Sequence, residues 1–329
     1  AFDIESVEGS VGIPIWTTTP WTLPANEAVA LHADFDYVLV KGVWHGQPLA
    51  IVLSDDLKDA VIQRIGLENS DWLGTCKGLA LVHQKLQHPF YEKKVPVILG
   101  EHVTTEAGTG AVHTAPGHGE DDFIVGKPYN LPVTSPVGPD GLFLPDTEIF
   151  AGEFVWNAND SILRLLKEKN VLLHDEPFLH SYPHFWRHKT PTAFRVTPQW
   201  FINMDKAGLR AQSLDSIKHI RWVPSWGEER ITGMIEGRPD WCISRQRTWG
   251  VPITLFVHRV SEELHPQTEE LMYKAADLIE EQGIDCWYDY EIYHQLGVDE
   301  SEYMQVKDIL VVWFDSGVSH RCVLDEREE

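Results

Sequence analysis

Three consecutive threonines form the first group of residues that could take part in chemistry. Thr17, Thr18 and Thr19 precede Pro20, and Asn26 follows a few residues later. Hydroxyl and amide side chains both donate and accept hydrogen bonds, so this group could orient a water molecule or an ester, although it holds no strong base. The alternative is a threonine-rich strand end followed by a proline turn, and spacing alone favours that alternative.

A second group lies between residues 108 and 122, where glycines surround two histidines and three acids. His113 and Asp122 could form two walls of a pocket, one an imidazole and the other a carboxylate. His113, His118 and Asp122 are also ligand types for zinc, but their spacing matches no standard metal motif, and we predict no metal site. The acids have a second interpretation, because acidic residues suit the first turn of a helix.

Two later segments combine aromatic and polar residues. They contain Trp241, within residues 240–252, and Trp313, within residues 312–317. Taken alone, both segments are typical of packed strands with polar ends. The sequence contains no GxSxG nucleophile motif, no phosphate-binding loop and no GxGxxG fingerprint.

Short strands in the first half of the chain must position these groups. Runs of β-branched residues broken by Gly and Pro predict strands at residues 12–16, 37–40, 49–53, 96–99 and 110–113. Ser54 is expected to cap a helix over residues 55–65. Further elements are predicted as helices over residues 160–169 and 266–283 and as a buried apolar strand over residues 309–314. We therefore expect an α+β fold, in which a barrel-like β domain with peripheral helices precedes a partial α/β segment.

Charge and composition narrow the possible functions less than the motifs do. The formal net charge of −23 argues by itself against nucleic-acid binding, but the cations gather in the middle of the chain, for example at residues 187–189. No apolar run of about 20 residues occurs, so no membrane span is expected. The four cysteines form no CxxC pair, which favours a reducing, cytoplasmic setting. The first residues lack Met and any signal-peptide pattern, which suggests a segment of a longer chain.

Together these segments resemble the isoleucyl-tRNA synthetases, a family of class I enzymes, over essentially the whole chain. Residues 16–24 resemble the threonine-rich strip of the family's inserted editing domain, and residues 110–122 resemble the other half of that pocket. In the related valyl and leucyl enzymes an Arg typically follows the first two threonines, whereas Thr19 stands there here, which favours the isoleucyl branch. The domains implied are an editing domain over 1–195, a return segment to the synthetic core over 196–252, and a second insertion with a truncated core strand over 253–329.

The resemblance implies post-transfer editing, in which the ester of valyl-tRNA(Ile) is hydrolysed. A pocket that accepts isoleucine cannot firmly reject valine, and isoleucyl-tRNA synthetase is itself the standard example of a second, hydrolytic sieve. Asp122 is then expected to hold the α-ammonium group, and His113 to exclude isoleucine. The resemblance also implies that four residues orient the terminal adenosine, the ester and the attacking water: Thr17, Thr18, Thr19 and Asn26. Trp241 and Trp313 resemble aromatic walls of the synthetic isoleucine pocket.

The resemblance also limits what this chain is expected to do. The adenylation signatures HIGH and KMSKS are absent from its residues. ATP and Mg²⁺ are therefore cofactors of the parent ligase only, and editing needs none. Some family members bind zinc near residues 182–188, but Phe185 and His188 replace the cysteines here and no zinc is expected.

The expected partner is tRNA(Ile) mischarged with valine, and a monomer is expected. Three alternatives remain. They are the editing domain of a valyl-type enzyme, a catalytically silent tRNA-binding fragment, and a metal-dependent hydrolase.

Overall fold

The computed structural model describes residue 7 and residues 10–327. The chain divides into two units, Ala1–Val196 and Thr197–Glu329. Among the helices described, none is both long and apolar enough to cross a membrane.

The described part of the first unit contains two four-stranded sheets. In chain order their strands are β1 (Ser10–Gly12), β2 (Ala28–Leu31), β3 (Asp36–Trp44), β4 (Gln47–Ser54), β5 (Glu68–Lys77), β6 (Lys85–Gln87), β7 (Lys94–Leu99) and β8 (Ala111–Thr114). One sheet has the order β1-β4-β3-β5 and the other the order β6-β7-β2-β8. Within the described part of the chain both sheets are open, so the barrel-like closure expected from the sequence is not present there.

Alternation along β3 explains why its sheet is covered on both faces. Tyr37 and Leu39 belong to one buried cluster, whereas Val38 and Val40 belong to another. Successive side chains of a strand point to opposite faces, so a continuous apolar run requires packing on each side. The predicted strands at residues 37–40, 49–53, 96–99 and 110–113 are confirmed as β3, β4, β7 and β8.

The second sheet is organised around β2, a strand that is buried throughout. It runs parallel to β7, with Val29 opposite Val97, and antiparallel to β8, with Val29 opposite His113. Because β2 begins just after Asn26, this pairing brings the end of the threonine-rich segment beside the strand that carries His113.

The described residues of the first unit form three α-helices: α1 (Lys58–Ile65), α2 (Glu120–Gly126) and α3 (Val155–Glu168). The predicted helix at residues 55–65 is confirmed, and Gly66 ends it in the left-handed conformation with φ of 68°. Ser54 does not cap this helix through its side chain, because its hydroxyl is buried without a hydrogen-bond partner among the described residues. A short 3₁₀ turn, Asp55–Leu57, leads into α1 instead.

Helix α3 is longer than the predicted helix at residues 160–169. Its buried residues recur at helical spacing, at Val155, Ala158, Ile162 and Leu166. This stripe belongs to the buried cluster that contains Trp21, a residue of the 3₁₀ helix Pro20–Ala25. The helix therefore supports the segment that follows the threonines.

The second unit combines short antiparallel strand pairs with helices. Its pairs are β9 (Phe201–Ile202) with β10 (Trp241–Cys242), β11 (Ser244–Arg245) with β14 (Ile309–Leu310), and β12 (Phe256–His258) with β13 (Tyr303–Gln305). Its helices are α4 (Leu209–Ile217), α5 (Gly227–Glu236), α6 (Thr268–Gln282), α7 (Ile292–Leu296) and α8 (Val312–Gly317). Helix α6 confirms the helix predicted over residues 266–283.

Two strand predictions are wrong. Pairing of β1 stops at Gly12, and residues 13–19 form no strand, since Pro14 has no N–H to donate to a ladder. The second wrong prediction is the strand over residues 309–314, because β14 ends at Leu310 and α8 begins at Val312. Short apolar runs do not distinguish a strand from a helix by periodicity, which accounts for the second error.

Candidate functional site

The threonine-rich segment is an irregular turn between β1 and the 3₁₀ helix. The Thr17 hydroxyl accepts a hydrogen bond from the backbone N–H of Thr19 at 3.0 Å. It also lies 3.4 Å from the Thr19 hydroxyl. Thr17, Thr18 and Thr19 are all half-buried, so each remains partly accessible to solvent. Pro20 then starts the 3₁₀ helix, where its fixed φ suits the first position.

Thr22 connects this segment to His113. Its hydroxyl donates to the carbonyl oxygen of Thr19 at 2.9 Å and lies 3.0 Å from Nε2 of His113. A hydroxyl carries one proton, and a carbonyl oxygen can only accept, so with the Thr22 proton directed to Thr19 we assign Nε2 of His113 as the donor to Thr22 and Nδ1 as the atom with the lone pair. Sequence reasoning missed Thr22, since only the folded chain reveals a contact between residues 91 positions apart.

His113 is a neutral ring at pH 7. Burial, followed by the neighbouring His88 and His118, lowers the pKa of His113 to about 4. Its Nδ1 atom is buried and has no hydrogen-bond partner among the described residues. A rigid, uncharged ring with a free acceptor atom is suited to line a pocket and to receive one donor from a ligand.

Asp122 lies in the first turn of α2. Its Oδ2 atom accepts a hydrogen bond from the backbone N–H of Ala115 at 3.0 Å. Burial raises the pKa of Asp122, although this hydrogen bond and His102 act in the opposite direction. Because Ala115 directly follows β8, the carboxylate is tied to the strand that carries His113. A half-buried carboxylate held in one orientation in this way is a strong partner for a cationic group.

Asn26 and His118 add two further acceptor atoms. Asn26 ends the 3₁₀ helix, and its buried Oδ1 has no partner among the described residues. His118 donates from Nδ1 to the carbonyl oxygen of Phe194 at 2.9 Å, which leaves its buried Nε2 as an unused acceptor. The His118 ring packs edge-on against Trp21, with centroids 5.0 Å apart.

Five buried polar atoms on the 3₁₀ helix, on β8 and in the adjoining residues have no hydrogen-bond partner among the described residues: Trp21 Nε1, Asn26 Oδ1, His113 Nδ1, Thr114 Oγ1 and His118 Nε2. We use the term acceptor cluster for the three of these atoms that only accept, Asn26 Oδ1, His113 Nδ1 and His118 Nε2. Buried polar atoms in folded proteins are nearly always paired, so a cluster of unpaired acceptors indicates a place for a ligand or ordered water.

The candidate metal ligands do not converge. Nε2 of His113 contacts Thr22, Nδ1 of His118 contacts Phe194, and Asp122 contacts Ala115. Over the described ranges, no three His, Cys, Asp or Glu side chains are grouped so that they could hold a metal ion.

Trp241 and Trp313 both belong to the second unit. The half-buried Trp241 ring lies 6.0 Å from Phe314 and under the Arg238 guanidinium, which is 5.8 Å away. Trp313 is 74% exposed on α8 and does not lie on the buried strand that the sequence predicted.

Comparison with known proteins shows which family these features belong to. Residues 23–329 match the family model of class I tRNA synthetases (I, L, M and V), and the chain belongs to this family. Its curated relatives include the isoleucine–tRNA ligase of Aliivibrio fischeri (strain MJ11), 58% identical over 98% of this chain and 34% of that protein. The isoleucine–tRNA ligase of Vibrio vulnificus (strain YJ016) is 57% identical with the same coverage. These relatives confirm the isoleucyl resemblance, and the chain spans about a third of their length.

Two solved structures show a partial likeness to this chain. The crystal structure of GlLeuRS-CP1 has a TM-score of 0.41 and 17% identity, and it covers 51% of this chain and 85% of that one. The P. falciparum cytosolic leucyl-tRNA synthetase editing domain has a TM-score of 0.39 and 10% identity, and it covers 48% and 78%.

Proposed function

We propose that the first unit hydrolyses the ester bond of aminoacyl-tRNA and that its substrate is tRNA(Ile) mischarged with valine. The acceptor cluster, together with the half-buried Asp122 carboxylate held to Ala115 just after β8, is the observation that carries this proposal. An aminoacyl-adenosine end offers ribose hydroxyls and an α-ammonium group, which are donors suited to these acceptors and to the carboxylate. Membership of the tRNA synthetase family supports tRNA as the partner.

Two residues select the amino acid in this proposal. Asp122 holds the α-ammonium group by a charge-assisted hydrogen bond, and its tie to Ala115 fixes the carboxylate. His113 forms the wall that admits valine and rejects isoleucine, which is larger by one methylene. A wall can discriminate on this scale only if it does not move, and the hydrogen bond from His113 to Thr22 holds the ring.

Hydrolysis itself needs little covalent participation by the protein. A water oxygen attacks the ester carbonyl carbon, the bond to the ribose oxygen breaks, and that oxygen leaves with a proton derived from the water. Thr17, Thr18, Thr19 and Asn26 are proposed to orient the terminal adenosine, the ester and the water. An aminoacyl ester is already activated, so orientation supplies much of the rate enhancement.

Deacylation of valyl-tRNA(Ile) and isoleucyl-tRNA(Ile), followed side by side, tests the proposal. We expect rapid loss of valine and sparing of isoleucine. Asp122→Ala should slow valine release at least about 30-fold, because removing one partner of a buried charge pair costs roughly 2–5 kcal/mol. The matched control is Asp121→Ala, which alters an exposed acid in the same helical turn and should leave the rate unchanged.

The outcomes separate the alternatives. His113→Ala should release isoleucine as well as valine, and continued sparing of isoleucine would contradict the wall role. Faster hydrolysis of threonyl than of valyl esters would indicate a valyl-type enzyme. Binding of tRNA without hydrolysis would refute the proposal, and activity abolished by a chelator would favour a metal-dependent hydrolase.

A further inference from the structure

Residues 177–196, which we call the aromatic segment, differ in composition from the rest of the chain. The chain as a whole has 50 acids against 27 cations, yet this segment contains no Asp or Glu. Its cations are Arg187, Lys189 and Arg195. Its rings are those of Phe178, His180, Tyr182, His184, Phe185, Trp186, His188 and Phe194. Aromatic rings interleaved with cations are typical of surfaces that bind single-stranded nucleic acid.

Four rings of this segment form a ladder: Phe178, His180, Tyr182 and His184. Consecutive ring centroids are 5.8, 5.8 and 6.3 Å apart. Every second residue contributes a ring, as expected when alternate side chains of extended backbone share one side. Phe178 is 53% exposed and the intervening Leu179 is 99% exposed. His180 and His184 are exposed as well, whereas Tyr182 is half-buried and packs edge-on against Trp156, so three of the four ladder rings present surface to solvent.

Both ends of the aromatic segment border the candidate site. Phe178 packs edge-on against Trp16, with centroids 5.1 Å apart, and Trp16 immediately precedes the threonines. At the other end, the N–H of Val196 donates to the carbonyl oxygen of Gly117 at 2.8 Å, and His118 donates to Phe194. A strand lying along the ladder towards Phe178 would therefore reach the threonine-rich segment.

We propose that the aromatic segment binds the single-stranded 3′ end of tRNA, with bases stacked on the ladder and phosphates near Arg187 and Lys189. This inference rests on the proposed function and names the surface that delivers the terminal adenosine. Every base has a π-face, so stacking would not depend on sequence, and the cations supply contacts to phosphate. An acid-free, cationic stretch in a chain of net charge −23 fits an anionic occupant better than an apolar protein surface.

Binding of two RNA hairpins by the 329-residue chain, measured by fluorescence anisotropy, tests this inference. One hairpin carries four unpaired 3′ nucleotides and the other ends blunt. We expect tighter binding of the overhang hairpin. Phe178→Ala should weaken that binding at least about fivefold, the lower end of what stacking of one base contributes. The matched control is Leu179→Ala, which removes an exposed apolar side chain from the same segment without removing a ring.

Rescue and activity measurements complete the test. Phe178→Tyr keeps an aromatic ring and should bind the overhang hairpin as the unaltered chain does. This result would show that the ring itself is needed for binding. Equal binding of both hairpins by the unaltered chain, or an unchanged preference in Phe178→Ala, would overturn the inference and assign the segment to another occupant. Parallel deacylation of valyl-tRNA(Ile) separates the two proposals. If overhang binding depends on the Phe178 ring but no hydrolysis occurs, only the proposed function is refuted. If hydrolysis occurs but binding does not depend on the ring, only this inference is refuted.

Discussion

Replacement of Thr22 by Val tests the link between the two halves of the candidate site. Val has the same shape as Thr but lacks the hydroxyl that accepts from His113 Nε2 at 3.0 Å and donates to the Thr19 carbonyl at 2.9 Å. His113 Nδ1 already has no partner among the described residues, so the variant leaves the buried ring without any hydrogen bond there.

The expected loss of stability in Thr22→Val follows from the hydrogen bonds that the variant removes. A buried donor left without an acceptor costs about 1–3 kcal/mol. For a unit of this size each kcal/mol shifts the melting temperature by about 2–4 °C, so we expect a decrease of about 2–12 °C. Selectivity should also fall, because a ring free to rotate is a poorer wall. One methylene is worth about 1–3 kcal/mol in a hydrophobic pocket, which limits the loss to about 10–200-fold.

Thermal unfolding followed by circular dichroism gives the first quantity, and parallel deacylation of valyl-tRNA(Ile) and isoleucyl-tRNA(Ile) gives the second. Thr22→Ser keeps the hydroxyl and is the matched control, which should retain selectivity. In a His113→Ala background, Thr22→Val should have no further effect on selectivity. A Thr22→Val variant that melts and selects like the unaltered chain would refute the assigned tautomer and the positioning role of Thr22.

Two further predictions concern ionisation. Burial raises the pKa of Asp122, so its charged form destabilises the fold at neutral pH. Asp122→Asn should therefore unfold at higher urea at pH 7 while losing deacylation, and a lower midpoint would contradict this. The pKa values of His88 and His113 are lowered to about 4. An unfolded histidine titrates near 6.5, so the unfolded chain takes up these protons first, and stability should fall as pH decreases from about 6.5 towards 4. At pH 5 the loss is up to about 2 kcal/mol per ring, and equal urea midpoints at pH 7 and pH 5 would be the contrary result.

Local sequence predicted much of the fold because most of the elements satisfy local rules. The helix at Lys58–Ile65 and strands β3, β4, β7 and β8 have apolar periodicity or β-branched runs bounded by Gly and Pro. The strand predicted over residues 309–314 ends early, at Leu310. Trp313 and Phe314 are apolar residues that occur in strands and in helices alike, so their types did not reveal the helix that follows. There the N–H of Phe314 donates to Val311, which closes a helical turn.

The candidate site was predictable in residue type but not in arrangement. Residue type alone left Asn26, His113 and Asp122 as weak candidates, and the resemblance to the isoleucyl-tRNA synthetases supplied their expected roles. The His113 tautomer depends on Thr22, which is brought close only when β2 pairs with β8. The ring ladder was not predicted either. Alternating aromatic residues in the sequence do not show by themselves that their rings contact one another in the folded chain.

The hydrogen bond between Thr22 and His113 closes a loop of 91 positions. Bringing the ends of such a loop together costs conformational entropy that no local contact repays, so the bond forms only once β2 and β8 have met. The β3–β4 hairpin lies inside this loop and can fold without it. Helices and hairpins in a partly folded chain would thus be present before the proposed hydrolytic site is assembled. The proposed esterase activity should therefore appear late during refolding.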